Sequence, residues 1–262
     1  MNPALAPGHS GRHVFLLMGQ SNMAGYGCVK PGDPWQPGDR DPVDGVFMLS
    51  GQGTIQASGW WRPVDWRPAA HPLHRHQNSS RFGLGIEFAR RYREARPGTV
   101  VGLIPCAWGG AGISRLHRGS PIYQNALRRA AIARQTGTIR AVLWHQGESD
   151  SDTPQNTASY EGRLRRMIAD LRADLHQPEL PWIIGDLAPF FEDFVRDADP
   201  ALAGRFATIR RILRDVAASD PQAAFVETTC LRPPPGDHVH FNRDSYLTLG
   251  HRYAEALLAL ES

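Results

Sequence analysis

His13-Val14-Phe15-Leu16-Leu17-Met18 runs directly into Gly19-Gln20-Ser21-Asn22-Met23-Ala24-Gly25. The apolar run is too short for a core helix and lacks the polar alternation of a strand with one wet face. It reads as a strand covered on both sides, as strands of parallel sheets are. Runs of the same kind recur at 46–49, 99–107, 139–144, 182–187 and 223–227. Helical periodicity fills the gaps at 86–96, 123–134, 160–175, 202–218 and 245–260. In 160–175, Leu164, Met167, Ile168, Leu171 and Leu175 fall on one face, and Pro97-Gly98 stops the helix at 86–96. Strands alternating with helices predict an α/β protein, a three-layer α/β/α sandwich around a mostly parallel sheet.

A chain of 262 residues fits one domain across 1–262 and buries enough surface to fold without disulfide or metal staples. Residues 28–82 break the rhythm with prolines, glycines and Trp35, Trp60, Trp61 and Trp66. An irregular excursion of this length is read either as a substrate-facing insertion or lid, or as a packed surface layer whose tryptophans belong to the core. The formal charge is +3, and only Lys30 among the 29 basic residues is a lysine. The arginines are scattered between acids, without the basic run and interleaved aromatics of a nucleic-acid stripe. No apolar stretch is long enough to span a bilayer, and the first residues lack the order of a signal peptide. The expectation is a soluble, cytoplasmic protein with no nucleic-acid or membrane partner. Cys28, Cys106 and Cys230 are too few and too far apart for a disulfide framework or zinc site. His71, His74 and His76 read as a solvated loop, so no metal is expected.

In open α/β sheets the ligand site lies beyond the carboxyl ends of the strands. Three polar segments follow strands directly: Gly19 to Gly25, Trp108-Gly109-Gly110-Ala111-Gly112, and Trp144-His145-Gln146-Gly147-Glu148-Ser149-Asp150. A fourth, Gly236-Asp237-His238-Val239-His240-Phe241-Asn242, precedes the last helix. A serine hydroxyl needs a neighbouring base to become a nucleophile. Ser21 is placed for that role, His240 is the candidate base, and Asp237, three residues earlier, is the candidate group that orients it. The Asp-x-x-His spacing favours His240 over His238, which reads as an exposed loop histidine. The Ser21 N–H, the Gly109 or Gly110 N–H and the Gln146 side-chain amide are candidate donors to the oxyanion of a tetrahedral intermediate. Trp108 and Trp144 adjoin these loops as core residues or sugar-stacking rings.

Gly-Gln-Ser-Asn-Met-Ala-Gly at 19–25, Pro-Cys-Ala-Trp-Gly-Gly at 105–110, Trp-His-Gln-Gly-Glu-Ser-Asp at 144–150 and Asp-His-Val-His-Phe at 237–241 resemble the motifs of the SGNH hydrolase superfamily. More narrowly they resemble the sialate O-acetylesterase-like group, which includes carbohydrate esterase family six and its acetylxylan esterases. The resemblance implies a flavodoxin-like SGNH fold and hydrolysis of O-acetyl esters on saccharides, without a cofactor. It carries the nucleophile onto Ser21, the acid–base pair onto Asp237 and His240, and the oxyanion donors onto Gly109 and Gln146. Ala111 stands where the group often has threonine, so Gly110 is kept as a second candidate. Glu148 is read as a second carboxylate for His240 or as an acceptor that orders its loop. Rivals are a lipase or thioesterase of the same superfamily, and a carbohydrate-binding relative without catalysis.

Overall fold

The structure, a computed structural model, describes residues 11–50, 64–74 and 81–262. Trp60, Trp61, His76 and the amino-terminal residues lie outside these. Strand β1 (Arg12–Gly19) is the centre of the sheet, and its apolar residues are wholly buried. Because successive side chains point to opposite faces, Val14, Leu16 and Met18 enter one core layer while Phe15 and Leu17 enter the other. The apolar run was therefore required on both faces, as its composition implied.

The remaining strands are β2 (Val46–Ser50), β3 (Asp65–Pro68), β4 (Val101–Pro105), β5 (Gly137–His145), β6 (Trp182–Gly185) and β7 (Ala223–Val226). Their order is β3-β2-β4-β1-β5-β6-β7. Every pairing is parallel except that of β2 with the edge strand β3. After β1 the chain builds first towards β2 and β4, then crosses to β5 on the other side. The order thus reverses at β1, the switch point where open sheets leave a crevice.

Helix α1 is the short turn Ser21–Ala24; α2 (Gly85–Ala95) and α7 (Arg243–Leu260) cover the Phe15 face. Helices α3 (Pro121–Arg134), α4 (Pro154–Asp174) and α6 (Pro200–Ala218) cover the Val14 face, while α5 (Pro189–Val195) follows β6. The expected α/β/α sandwich is observed. The excursion at 28–82 is less irregular than expected, because β2 and β3 lie inside it and extend the sheet. Trp66 there packs against the core and donates its indole N–H to Thr136. No helix of the described residues is long and apolar enough to cross a membrane.

Candidate active site

The carboxyl end of β1 turns sharply at Gly19. Its φ of +138° favours glycine, and a Cβ here would land on the His145 carbonyl group at the end of β5. This close approach sets the next residues over the crevice. Ser21 opens the α1 turn, in which the Met23 and Ala24 N–H groups donate to the Gln20 carbonyl at 3.1 and 2.9 Å. The N–H groups of Ser21 and Asn22 find no acceptor among the described residues. On the β4 side, Trp108 N–H donates to the Gly19 carbonyl at 3.0 Å, stitching the second polar loop to the first. Ala111 N–H closes a turn on the Trp108 carbonyl at 3.1 Å. The two central residues, Gly109 and Gly110, keep their N–H groups unbonded among the described residues, and Gly110 takes the positive φ of +66°.

From the far end of the chain, the loop before α7 returns over the crevice. His240 Nε2 lies 3.0 Å from Ser21 Oγ, and its Nδ1 lies 2.9 Å from Asp237 Oδ2. A carboxylate only accepts, so the ring proton belongs on Nδ1, and Nε2 presents its lone pair to the Ser21 hydroxyl. The other Asp237 oxygen accepts the Val239 and His240 N–H groups at 2.8 and 2.9 Å. Burial works to raise the Asp237 carboxyl. The hydrogen bonds from the His240 ring and the two N–H groups outweigh it and hold the group well below the usual carboxylate range. Tyr26 lies flat against the imidazole, with ring centroids 4.2 Å apart and planes 12° from parallel. Ser21, Asp237 and His240, the three residues expected to meet, are therefore joined by hydrogen bonds that can pass a proton from hydroxyl to imidazole.

Gln146, the third expected oxyanion donor, directly follows β5. Its side chain is fully buried, and its amide nitrogen faces Asp150 Oδ2 at 2.5 Å, Gln20 Oε1 at 3.2 Å and the Ala111 carbonyl at 3.2 Å. Gln146 thereby forms a floor that ties the loops together, and its Oε1 has no hydrogen-bond partner among the described residues. Asp150 extends this floor by accepting the Ile113 N–H at 2.9 Å, and burial pushes its carboxyl up. Glu148 is buried beside Asn22. Its Oε1 accepts from Asn22 Nδ2 at 2.7 Å, with no hydrogen bond to His240 among the described residues. Burial pushes its carboxyl up against that bond. Trp144 is fully buried against Trp182, which removes it as a sugar-stacking ring. His145 is also fully buried, and burial pushes its imidazole down to about 3, leaving it neutral beneath the site. His238 is exposed, as expected.

Sequence reasoning missed Asn22. This buried residue directly follows Ser21 and grips the histidine loop from below. Its Nδ2 donates to Glu148 and, at 3.0 Å, to the Val239 carbonyl; its Oδ1 accepts from Tyr246 Oη at 2.9 Å and Phe241 N–H at 3.4 Å. One side chain thereby fixes the loop carrying His240 to the loop carrying Ser21. Only its position beside the serine hinted at this, because its partners are remote in sequence. Among the described residues, no group of three or more His, Cys, Asp or Glu side chains is arranged to hold a metal ion.

Comparison with known proteins gives a consistent family. Residues 11–259 match the family model described as carbohydrate esterase, sialic acid-specific acetylesterase. An Arabidopsis thaliana protein named "Probable carbohydrate esterase" is 31% identical, over 94% of this chain and 90% of its own length. The solved structure of that plant protein superimposes with a TM-score of 0.78 at 29% identity, covering 95% of this chain and 98% of the other. A carbohydrate acetylesterase from Xanthomonas citri has a TM-score of 0.68 at 20% identity, covering 95% of this chain and 56% of its own, and shows the shared fold. The chain belongs to the carbohydrate esterases of the sialic acid-specific acetylesterase family and is a carboxylic ester hydrolase.

Proposed function

We propose that the protein is a serine esterase that removes O-acetyl groups from acetylated carbohydrates through an acetyl-enzyme intermediate. The observation that carries this reading is the continuous set of contacts from Asp237 through His240 to Ser21 Oγ. In the first step His240 Nε2 takes the hydroxyl proton while Ser21 Oγ attacks the acetyl carbonyl. The N–H groups of Ser21 and Gly109, with Gly110 as the second candidate, receive the oxygen that becomes negative. Each such donor is worth roughly 3 to 4 kcal/mol in the transition state. The imidazolium then returns its proton to the sugar oxygen as the acyl bond to it breaks. A water molecule, deprotonated by His240, attacks the acetyl-Ser21 ester and releases acetate with the hydroxyl restored.

Asp237 fixes the imidazole tautomer and stabilises the transient cation. Gln146, Asp150, Glu148 and Asn22 act by holding the three loops at working distance. The saccharide half of the proposal is supported by the family description and by the carbohydrate esterases among the relatives. Acetate release measured over O-acetylated sialic acids, acetylated xylo-oligosaccharides and esters of increasing acyl length tests it. Turnover is expected to favour acetyl over octanoyl esters and to vanish in Ser21→Ala. A preference for octanoate would favour a lipase or thioesterase, and retained turnover in Ser21→Ala would refute the serine mechanism.

A further inference from the structure

The turn that carries Ser21 is clamped where it leaves the site. Gly25 N–H donates to the Ser21 carbonyl at 2.8 Å, and the Gly25 carbonyl accepts the Arg81 N–H at 2.9 Å. Gly27 and Phe82 then exchange both backbone hydrogen bonds at 3.0 Å, forming an isolated antiparallel bridge. The approach is close enough to require glycine at 25: its φ is +94°, and a Cβ there would fall 2.6 Å from the Phe82 carbonyl oxygen. Tyr26 stands between these two attachments. Its own N–H donates to Tyr246 Oη at 3.2 Å, and Tyr246 Oη donates to Asn22 Oδ1 at 2.9 Å. The backbone of Tyr26 is thus tied to the same residue that grips the histidine loop.

The side chain held in this way joins neither core layer among the described residues. It is half-buried and lies flat on the His240 imidazole, with centroids 4.2 Å apart and planes 12° from parallel. Asp237 and Ser21 occupy the two ring nitrogens in the plane of the imidazole, so a further group can act on it only through a face. When His240 takes the Ser21 proton it becomes a cation. The negative face of an aromatic ring attracts a cation lying within about 6 Å of its centroid. The neutral imidazole gains less from the same contact, so the attraction is greatest where the reaction places charge on the ring. Among the other titratable groups around this ring, Asp237 bonds Nδ1, buried Glu148 attracts the cation from the loop after β5, and His238 is turned onto Phe194. An exchange at position 26 changes none of them.

We propose that Tyr26 is a positioning residue that stacks on His240 and favours its imidazolium form during acyl transfer. This rests on the reading of Ser21, Asp237 and His240 given above. Tyr26 acts through the imidazole and makes no bond to the ester.

Three exchanges at this position test the stack. Tyr26→Phe keeps the aromatic face. Tyr26→Leu covers the imidazole with a saturated chain, so water does not replace the lost ring. Pentafluorophenylalanine introduced at position 26 keeps the shape and reverses the charge of the face. Each is assayed on p-nitrophenyl acetate from about pH 5 to 8. In the leucine and fluorinated variants the acid-side inflection of kcat/KM should move about half a pH unit lower, because the cation has lost its partner. Their kcat at the alkaline end should fall about threefold, with KM unchanged, and Tyr26→Phe should match wild type in every respect. An unmoved inflection in either the leucine or the fluorinated variant would make Tyr26 a steric prop and overturn the proposal, whatever the rate. An equal shift in Tyr26→Phe would assign the effect to the hydroxyl and overturn it as well. Either result alongside an inactive Ser21→Ala leaves the serine reading standing, whereas turnover retained in Ser21→Ala removes that reading and the role of Tyr26 together.

Discussion

Asp237→Asn changes little more than one atom of the relay, and the geometry says which. Asp237 Oδ1 accepts two backbone N–H groups, at 2.8 and 2.9 Å. In the variant the amide oxygen is held in that position, and the NH2 group must face His240 Nδ1. The imidazole then has to accept at Nδ1 and carry its proton on Nε2, where it confronts the Ser21 hydroxyl and cannot receive a proton. The variant also removes a negative charge about 3 Å from the imidazolium formed during attack. At an effective dielectric near 20 that attraction is on the order of 5 kcal/mol, and the pair is mostly shielded, with side-chain exposures of 19% and 15%. A loss of about 4 to 5.5 kcal/mol corresponds to a fall in kcat of about 10³- to 10⁴-fold. KM should stay near the wild-type value, because the ester itself does not touch Asp237. The assay is steady-state hydrolysis of p-nitrophenyl acetate, with circular dichroism to show that the turn survives. A variant within tenfold of wild-type kcat would refute the assigned tautomer and with it the role of Asp237.

Other perturbations follow from the same contacts. Asn22→Ala leaves Glu148, the Val239 carbonyl and the Tyr246 hydroxyl without their partner; it should lower stability by roughly 2 to 4 kcal/mol and reduce kcat, read from urea unfolding and initial rates. Gly19→Ala drives a Cβ into the His145 carbonyl group at a φ of +138°; unfolding at lower temperature and loss of esterase activity are expected, and a variant as stable as wild type would contradict the packing. Burial raises the Glu148 carboxyl, so the folded chain holds that proton more tightly than the unfolded one. Stability from this group is therefore greatest below the unfolded value, about pH 4.3, and falls as pH rises through the folded one. Urea midpoints of Glu148→Gln, followed from pH 4 to 8, should gain on wild type as pH rises and then run parallel, whereas a constant difference would show that Glu148 ionises freely.

The sheet was legible because β1 and its neighbours carry apolar residues on both faces, a pattern with few other solutions. Edge strand β3 was not, since Asp65-Trp66-Arg67-Pro68 carries mostly exposed side chains and gains its pairing only from β2. The helix starts were misjudged for a related reason. Helices α4 and α6 begin at Pro154 and Pro200, capped by Thr153 and Asp199, six and two residues before the apolar periods read at 160 and 202. Those cap–proline pairs were present in the sequence and are the better boundary signal. Helix α5 is too short, and too evenly aromatic, to show a period. At the site, Ser21, Asp237 and His240 were readable because proton transfer demands particular residue types, and spacing tied Asp237 to His240. The contributions of Gln146 and Asn22 depend on partners that only tertiary packing supplies. Asn22 meets Glu148 and Val239 across 126 and 217 residues. Buried amides look alike in a sequence whether they face a substrate or a neighbouring loop.

The central claim is that Ser21 carries the acyl group during turnover. Acid-quenching the enzyme during hydrolysis of p-nitrophenyl acetate, followed by peptide mass spectrometry, measures it directly. An acetyl ester on Ser21 that decays as acetate is released is expected, with neither adduct nor turnover in Ser21→Ala. Turnover surviving in Ser21→Ala, or an acetyl group held at another residue, would contradict it.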